Sequence, residues 1–170
     1  ALRPFDRRRD GTVFGEGAAA VMLEKADDAK ARGAFVMGEF LGSGCVTEGI
    51  GILDIRSDGD GLARAIELAL TDAGVARREV GMIVAHGNGT RASDASEAIA
   101  IRHVFGKSVP PVTGFKWAFG HLIAASGTLD LVLALTALRQ QLVPGIPTLN
   151  ALDAELDPFP VSASPQKPRS

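Results

Sequence analysis

The stretch EVGMIVAHGNGTRASDASEAIAIRHVFG, residues 79–106, decides the fold class. Its first eight residues form an apolar run too short for a helix, which reads as a buried parallel strand. From Ser93 the period changes to that of a helix. Asp94 and Glu97 fall in the first turn, where the helix dipole favours negative charge, while Ala98, Ile101, Val104 and Phe105 face inward and Gly106 closes the element. A strand feeding a helix through a glycine-rich turn is the repeating unit of α/β proteins. His86 stands at the C-terminal end of the strand, where such folds gather their working groups.

Outward from this unit, strands and helices continue to alternate. GLARAIELALTDAGV, residues 61–75, places Leu62, Ala65, Ile66, Ala69, Leu70 and Ala73 on one helical face, with Gly74 in the position of a C-cap glycine. GAAAVMLEK (17–25) and AFVMGEFLGSG (34–44) read as strands, separated by a short polar helix over 25–34 that ends near Gly33. The glycine- and aspartate-rich residues 45–60 read as a connecting loop and an internal boundary. VPPVTGFK (109–116) is a strand with prolines at its start, which places it near a sheet edge or at the point where a strand begins. The segment 117–141 is apolar on nearly every side and predicts a core helix enclosed by other layers, with Gly120, Ala124 and Gly127 as a small-residue stripe. From Val143 onward, six of the nine prolines and no period predict an extended or loosely ordered end.

Composition narrows the function. A chain of 170 residues buries roughly 70% of its unfolded surface, enough for a core. Hydrophobic residues make up 46%, charged residues 22%, and the net charge is −2, so no basic field recruits nucleic acid. Asp130 and His121 argue against a membrane span in the long apolar segment. No export signal precedes the first strand, and the single cysteine, Cys45, forms no internal disulfide, so a reducing, cytoplasmic setting is expected. The cluster at Arg7, Arg8 and Arg9 reads as solvated and paired with Asp6 and Asp10; docking of an acidic carrier is the weaker alternative. His103 reads as a surface residue, and no metal-ligand spacing joins the histidines.

Two strand ends carry chemistry: His86 at one, Lys116 at the other, with His121 five residues later. Imidazole donors aimed at one oxygen make an oxyanion site. Glycines flanking Asn88 let a substrate arm pass close to the backbone, and Asn88 and Thr90 offer polar side chains to it. Asp94 and Glu97 read equally as a first-turn cap or as members of a supporting network.

The blocks PFDRRRDGTVFGEGAAAVMLEKADDAKARGA, AHGNGTRASDASEAIAIRHVFG and GFKWAFGHLIAASGTLDLVLALTALRQQLVPGIPTLN resemble, in order, consecutive blocks of the β-ketoacyl-acyl carrier protein synthases. The resemblance implies an α/β, thiolase-like layered αβα architecture. Residues 1–44 would end the N-terminal half, 45–60 connect, and 61–170 form a C-terminal half lacking its last strands. It implies decarboxylative condensation of acyl and malonyl thioesters in fatty-acid or polyketide synthesis. No cofactor is expected, substrates riding on the phosphopantetheine of acyl carrier protein.

By the same resemblance His86 and His121 are the catalytic histidines, and Lys116 the lysine before the second. Glu97 is the partner of that lysine, Asp94 orders the network, and Thr90 contacts the pantetheine arm. Asn88 departs from the family's usual threonine. The family's nucleophilic cysteine precedes the PFD block. Cys45 lies downstream in a glycine-rich loop and is not expected to replace it, so the chain alone is expected to be inactive. The expected partners are acyl carrier protein and a missing N-terminal half or partner synthase chain, in a homodimer or heterodimer, with neither nucleic acid nor membrane. The alternative is a non-catalytic partner subunit comparable to the chain-length factors.

Overall fold

Val80 to Ala85 form the apolar floor on which the chain organises itself. The computed structural model describes residues 1–51 and 54–169, so Ile52 and Leu53 of the expected 45–60 loop, and Ser170, lie outside the described residues. Strand β1 (Ile83–Val84) pairs in parallel with β2 (Val112–Thr113), Ile83 opposite Val112 and Val84 opposite Thr113. Hydrogen bonds from Ile83 N–H to Pro111 and from Ala85 N–H to Thr113 extend the ladder at both ends. The parallel strand expected over 79–86 is therefore present, with a shorter paired core. β2 is not at an edge: Val112 is bridged on its other side by Val161, and its N–H donates to Pro160. Pro110 and Pro111 precede the ladder and leave its donors intact.

Two helices pack beside this ladder. α2 (Asp60–Ala73) ends on Gly74 in the left-handed region, and α3 (Arg91–Phe105) is capped by the Thr90 hydroxyl accepting from Ser93 N–H. Ala98, Ile101, Val104 and Phe105 are buried, as the period requires, and join Phe5, Val112, Ile146, Leu156 and Phe159 in one core. Each large apolar side chain so buried contributes roughly 1.5–3 kcal/mol. Gly59 brings the start of α2 onto α3; a Cβ there would lie 2.6 Å from the Ser96 carbonyl and 2.8 Å from Ala100 N. Gly42 and Gly44 lay an extended segment directly on Ala65, Ala69 and Ala73 of α2.

Three expectations are corrected. α1 (Ala26–Ala31) forms and is followed by Gly33 at a positive φ, but residues 17–25 and 34–44 on either side are extended without a ladder partner among the described residues. Their apolar side chains stay exposed, Met22 by 89% and Phe40 by 74%. An apolar run becomes a strand only where a neighbouring backbone completes its hydrogen bonds. The segment 117–141 is not one enclosed helix: α4 (Lys116–Phe119) stops at Gly120, a 3₁₀ turn covers Ile123–Ala125, and α5 (Ser126–Arg139) follows. Within α5 only Ser126 and Ala137 are buried. The end from Val143 is extended but pinned, with Val143 bridged to Gln166 and Leu156 and Phe159 in the core.

Candidate active site

Glu97 builds the first half of the site. It lies on the inner face of α3, and its two oxygens accept the backbone N–H groups of His86 (2.6 Å) and Gly87 (2.9 Å), gripping the chain just past β1. Gly87 and Gly89 both take positive φ, which lets the loop turn back within four residues. Between them Asn88 Oδ1 accepts from Thr90 N–H and from the Thr90 hydroxyl, each at 2.9 Å. The loop thus presents His86 at a strand end with its backbone fixed from below. Burial pushes the Glu97 carboxyl up to about 7 against the stabilising amides of Gly87 and His86, and Asp94 nearby adds to the rise.

Asp94 fixes the far end of the loop. Completely buried, it accepts from Gly89 N–H (3.1 Å) and Phe5 N–H (2.7 Å), so one carboxylate joins the histidine loop to the N-terminal segment. Burial raises its pKa to about 6, opposed by those amides and by Arg9. It is an anchor, while the cap of α3 is Thr90. Arg9 corrects the reading of residues 7–9 as solvated: it is 1% exposed, donates to Asp153 Oδ2 (2.5 Å) and to the Asp6 carbonyl (3.2 Å), and lies 3.6 Å from Asp94. Asp6 in turn accepts from Asn150 and Ala151 N–H. Burial would raise Asp6, but these amides and Arg8 N–H hold it below the usual range.

The second half of the site comes from the break between α4 and α5. Gly120, at φ 75°, turns the chain so that His121 N–H donates to Val13 (2.7 Å) and its carbonyl accepts from Gly15 N–H (3.2 Å). The His86 and His121 rings then stand edge to face, centroids 5.0 Å apart. Nδ1 of His121 accepts from Ile123 N–H (3.1 Å); an amide nitrogen only donates, so the ring proton is on Nε2. Lys116, 3% exposed, pairs with Asp130 at 3.0 Å. Crowding by the surrounding protein lowers both histidines, with the Lys116 cation adding to it. His86 falls to about 4 although the residue is exposed at the surface.

Lys116, His86 and His121 are therefore brought together as expected. The carboxylate paired with Lys116 is Asp130, not Glu97, whose oxygens hold backbone amides instead. Asp130 was legible as the one charge between Lys116 and Arg139, since a charge in an apolar stretch requires a partner. Ser126 and Arg9 carried no comparable signal. Asn88 and Thr90 are turned on each other, His103 is exposed, and Cys45 is exposed on the segment that packs against α2. An open groove of about 350 Å³, lined by Leu2, Val13, Phe14, Lys116, Trp117 and Gly120 among others, lies beside the pair. No described helix is long and apolar enough to cross a membrane.

Residues 37–151 match the family model described as Beta-ketoacyl synthase, C-terminal domain, and residues 1–29 match the corresponding N-terminal domain. The 3-oxoacyl-[acyl-carrier-protein] synthase 2 of Mycobacterium tuberculosis is 38% identical over 168 residues, which are 98% of this chain and 40% of that protein. The ishigamide ketosynthase/chain length factor structure superposes with a TM-score of 0.91 at 34% identity, covering 99% of this chain and 41% of its counterpart. A type II polyketide synthase acyl carrier protein in complex with its ketosynthase gives 0.90 at 29% identity, covering 99% and 42%. The chain thus spans about two fifths of the length of the curated relatives it matches, and the shared fold bears out the α/β, thiolase-like class. By family model, identity and fold together, the chain belongs to the beta-ketoacyl synthase family.

Proposed function

We propose that this chain carries the decarboxylation machinery of a 3-oxoacyl-[acyl-carrier-protein] synthase. The observation that carries the reading is the edge-to-face pair of His86 and His121 beside the buried Lys116–Asp130 ion pair. Two neutral imidazoles direct N–H groups at the thioester oxygen of a malonyl unit. The bond to the terminal carboxylate breaks, carbon dioxide leaves, and its electron pair moves into an enolate whose oxygen both histidines hold. Low pKa values suit this task, because a neutral donor holds the enolate oxygen without protonating it. The Lys116 ammonium supplies positive charge at short range without competing for that oxygen. The enolate carbon then attacks an acyl thioester on a nucleophilic cysteine, forming the carbon–carbon bond and releasing the thiolate.

That nucleophile is not Cys45, which is exposed on the segment that packs against α2. The 170-residue chain by itself therefore performs no condensation. Substrates arrive on the phosphopantetheine of acyl carrier protein, with Asn88 and Thr90 lining the approach and Glu97 and Asp94 holding the loop beneath. The protein works as a homodimer or heterodimer in the cytoplasm, in fatty-acid or polyketide synthesis. Similarity to a ketosynthase/chain length factor structure makes the non-catalytic partner subunit the competing reading. Carbon dioxide release from malonyl-acyl carrier protein by the natural protein that contains these residues separates the two. Release that depends on His86 and His121 supports the enzyme, and no release from the folded protein supports the partner subunit.

A further inference from the structure

Ser126 opens α5, is 7% exposed, and stands with its hydroxyl oxygen 3.0 Å from His121 Nδ1 and 2.9 Å from Leu122 N, whose N–H it accepts. Because Nδ1 already accepts Ile123 N–H, it carries no proton, and the hydroxyl is the donor in its contact with the ring. The polar chain therefore has one direction: Leu122 N–H to Ser126 Oγ, then Ser126 O–H to Nδ1. Ile123 is held at φ 53°, a left-handed conformation that disfavours a β-branched residue. Two independent donors, one of them on a strained backbone, converge on one ring nitrogen.

We propose that Ser126 is a positioning residue that fixes the orientation and tautomer of His121, so that Nε2–H is the hydrogen aimed at the developing oxyanion. The proposal rests on the decarboxylation reading for its consequence, but not for its geometry. An imidazole held by a single donor can rock about that bond. A second donor from the N-terminus of α5 defines the ring plane and couples it to the helix that also carries Asp130. Polarised through Leu122 N–H, the hydroxyl donates more strongly than an isolated one.

The test uses the natural protein containing these residues, labelled with ¹⁵N-histidine. In the unsubstituted protein His121 must show an unprotonated Nδ1 and a protonated Nε2; a protonated Nδ1 overturns the proposal without need of any variant. In Ser126→Ala, with folding checked by circular dichroism, the Nδ1 resonance shifts toward that of a free, unbonded nitrogen. The kcat for malonyl decarboxylation falls roughly 5- to 10-fold, with KM unchanged, as loss of one neutral hydrogen bond requires. An unchanged Nδ1 resonance in folded Ser126→Ala overturns the proposal, whatever the rate does. Absence of decarboxylation in the unsubstituted protein would defeat the enzyme reading and leave the resonance test standing.

Discussion

Glu97 commits both carboxylate oxygens to the amides of His86 and Gly87, so its protonation state bears on the loop that presents the first histidine. Its pKa rises from 4.5 to about 7, so between those values the folded chain keeps a proton that the unfolded chain has released. Stability from this group is consequently lost as pH rises through that window. Glu97→Gln does not titrate. The stability of wild type relative to this variant should fall by about 3 kcal/mol between pH 4.5 and 7, read from denaturant melts across pH. His86 acts with the opposite sign, since its lowered pKa makes unfolding take up a proton below its ordinary range. The difference between the two proteins cancels that contribution. Arg9→Ala leaves Asp94 and Asp153 without their shared cation, and the variant should lose roughly 3–5 kcal/mol in the same melts. In sequence Arg9 was indistinguishable from Arg7 and Arg8. What separates them is contact with residues 94 and 153, far along the chain.

Among the elements, those with a strong local period were legible and those requiring a distant partner were not. α2 and α3 follow directly from their apolar spacing, and β1 from its uninterrupted Val and Ile. The apolar runs at 17–25 and 34–44 have strand composition, yet a strand is completed by a neighbour that composition does not name. The break at Gly120 was hidden because the residues on both sides are equally apolar. That break places His121. A Cβ at Gly120 would lie 2.8 Å from Gly15 N and 2.9 Å from the Val13 carbonyl, on a backbone at φ 75°. Gly120→Ala should therefore lower thermal stability by about 1–3 kcal/mol. It should also shift the ¹⁵N signals of His121 while leaving those of His103 on α3 unchanged.

At the scale of the whole molecule, the histidine site was legible because three motif blocks stood in order, and its supports were not, because they cross the fold. Asp94 joins the loop to Phe5, and Asp6 joins the N-terminal segment to residues 150 and 151. Large apolar side chains also remain uncovered: Phe14, Leu23, Phe35 and Phe40 are each at least 69% exposed. Expressed alone, the 170-residue chain should self-associate, seen as concentration-dependent mass in sedimentation, and Phe35→Ser with Phe40→Ser should reduce it. The proposed role of His86 and His121 is joint stabilisation of an enolate. Its most direct test is carbon dioxide release from malonyl-acyl carrier protein by the natural protein, compared with folded His86→Ala and His121→Ala. A fall of roughly 10²–10³-fold is expected in each variant; equal release from all three would overturn that role.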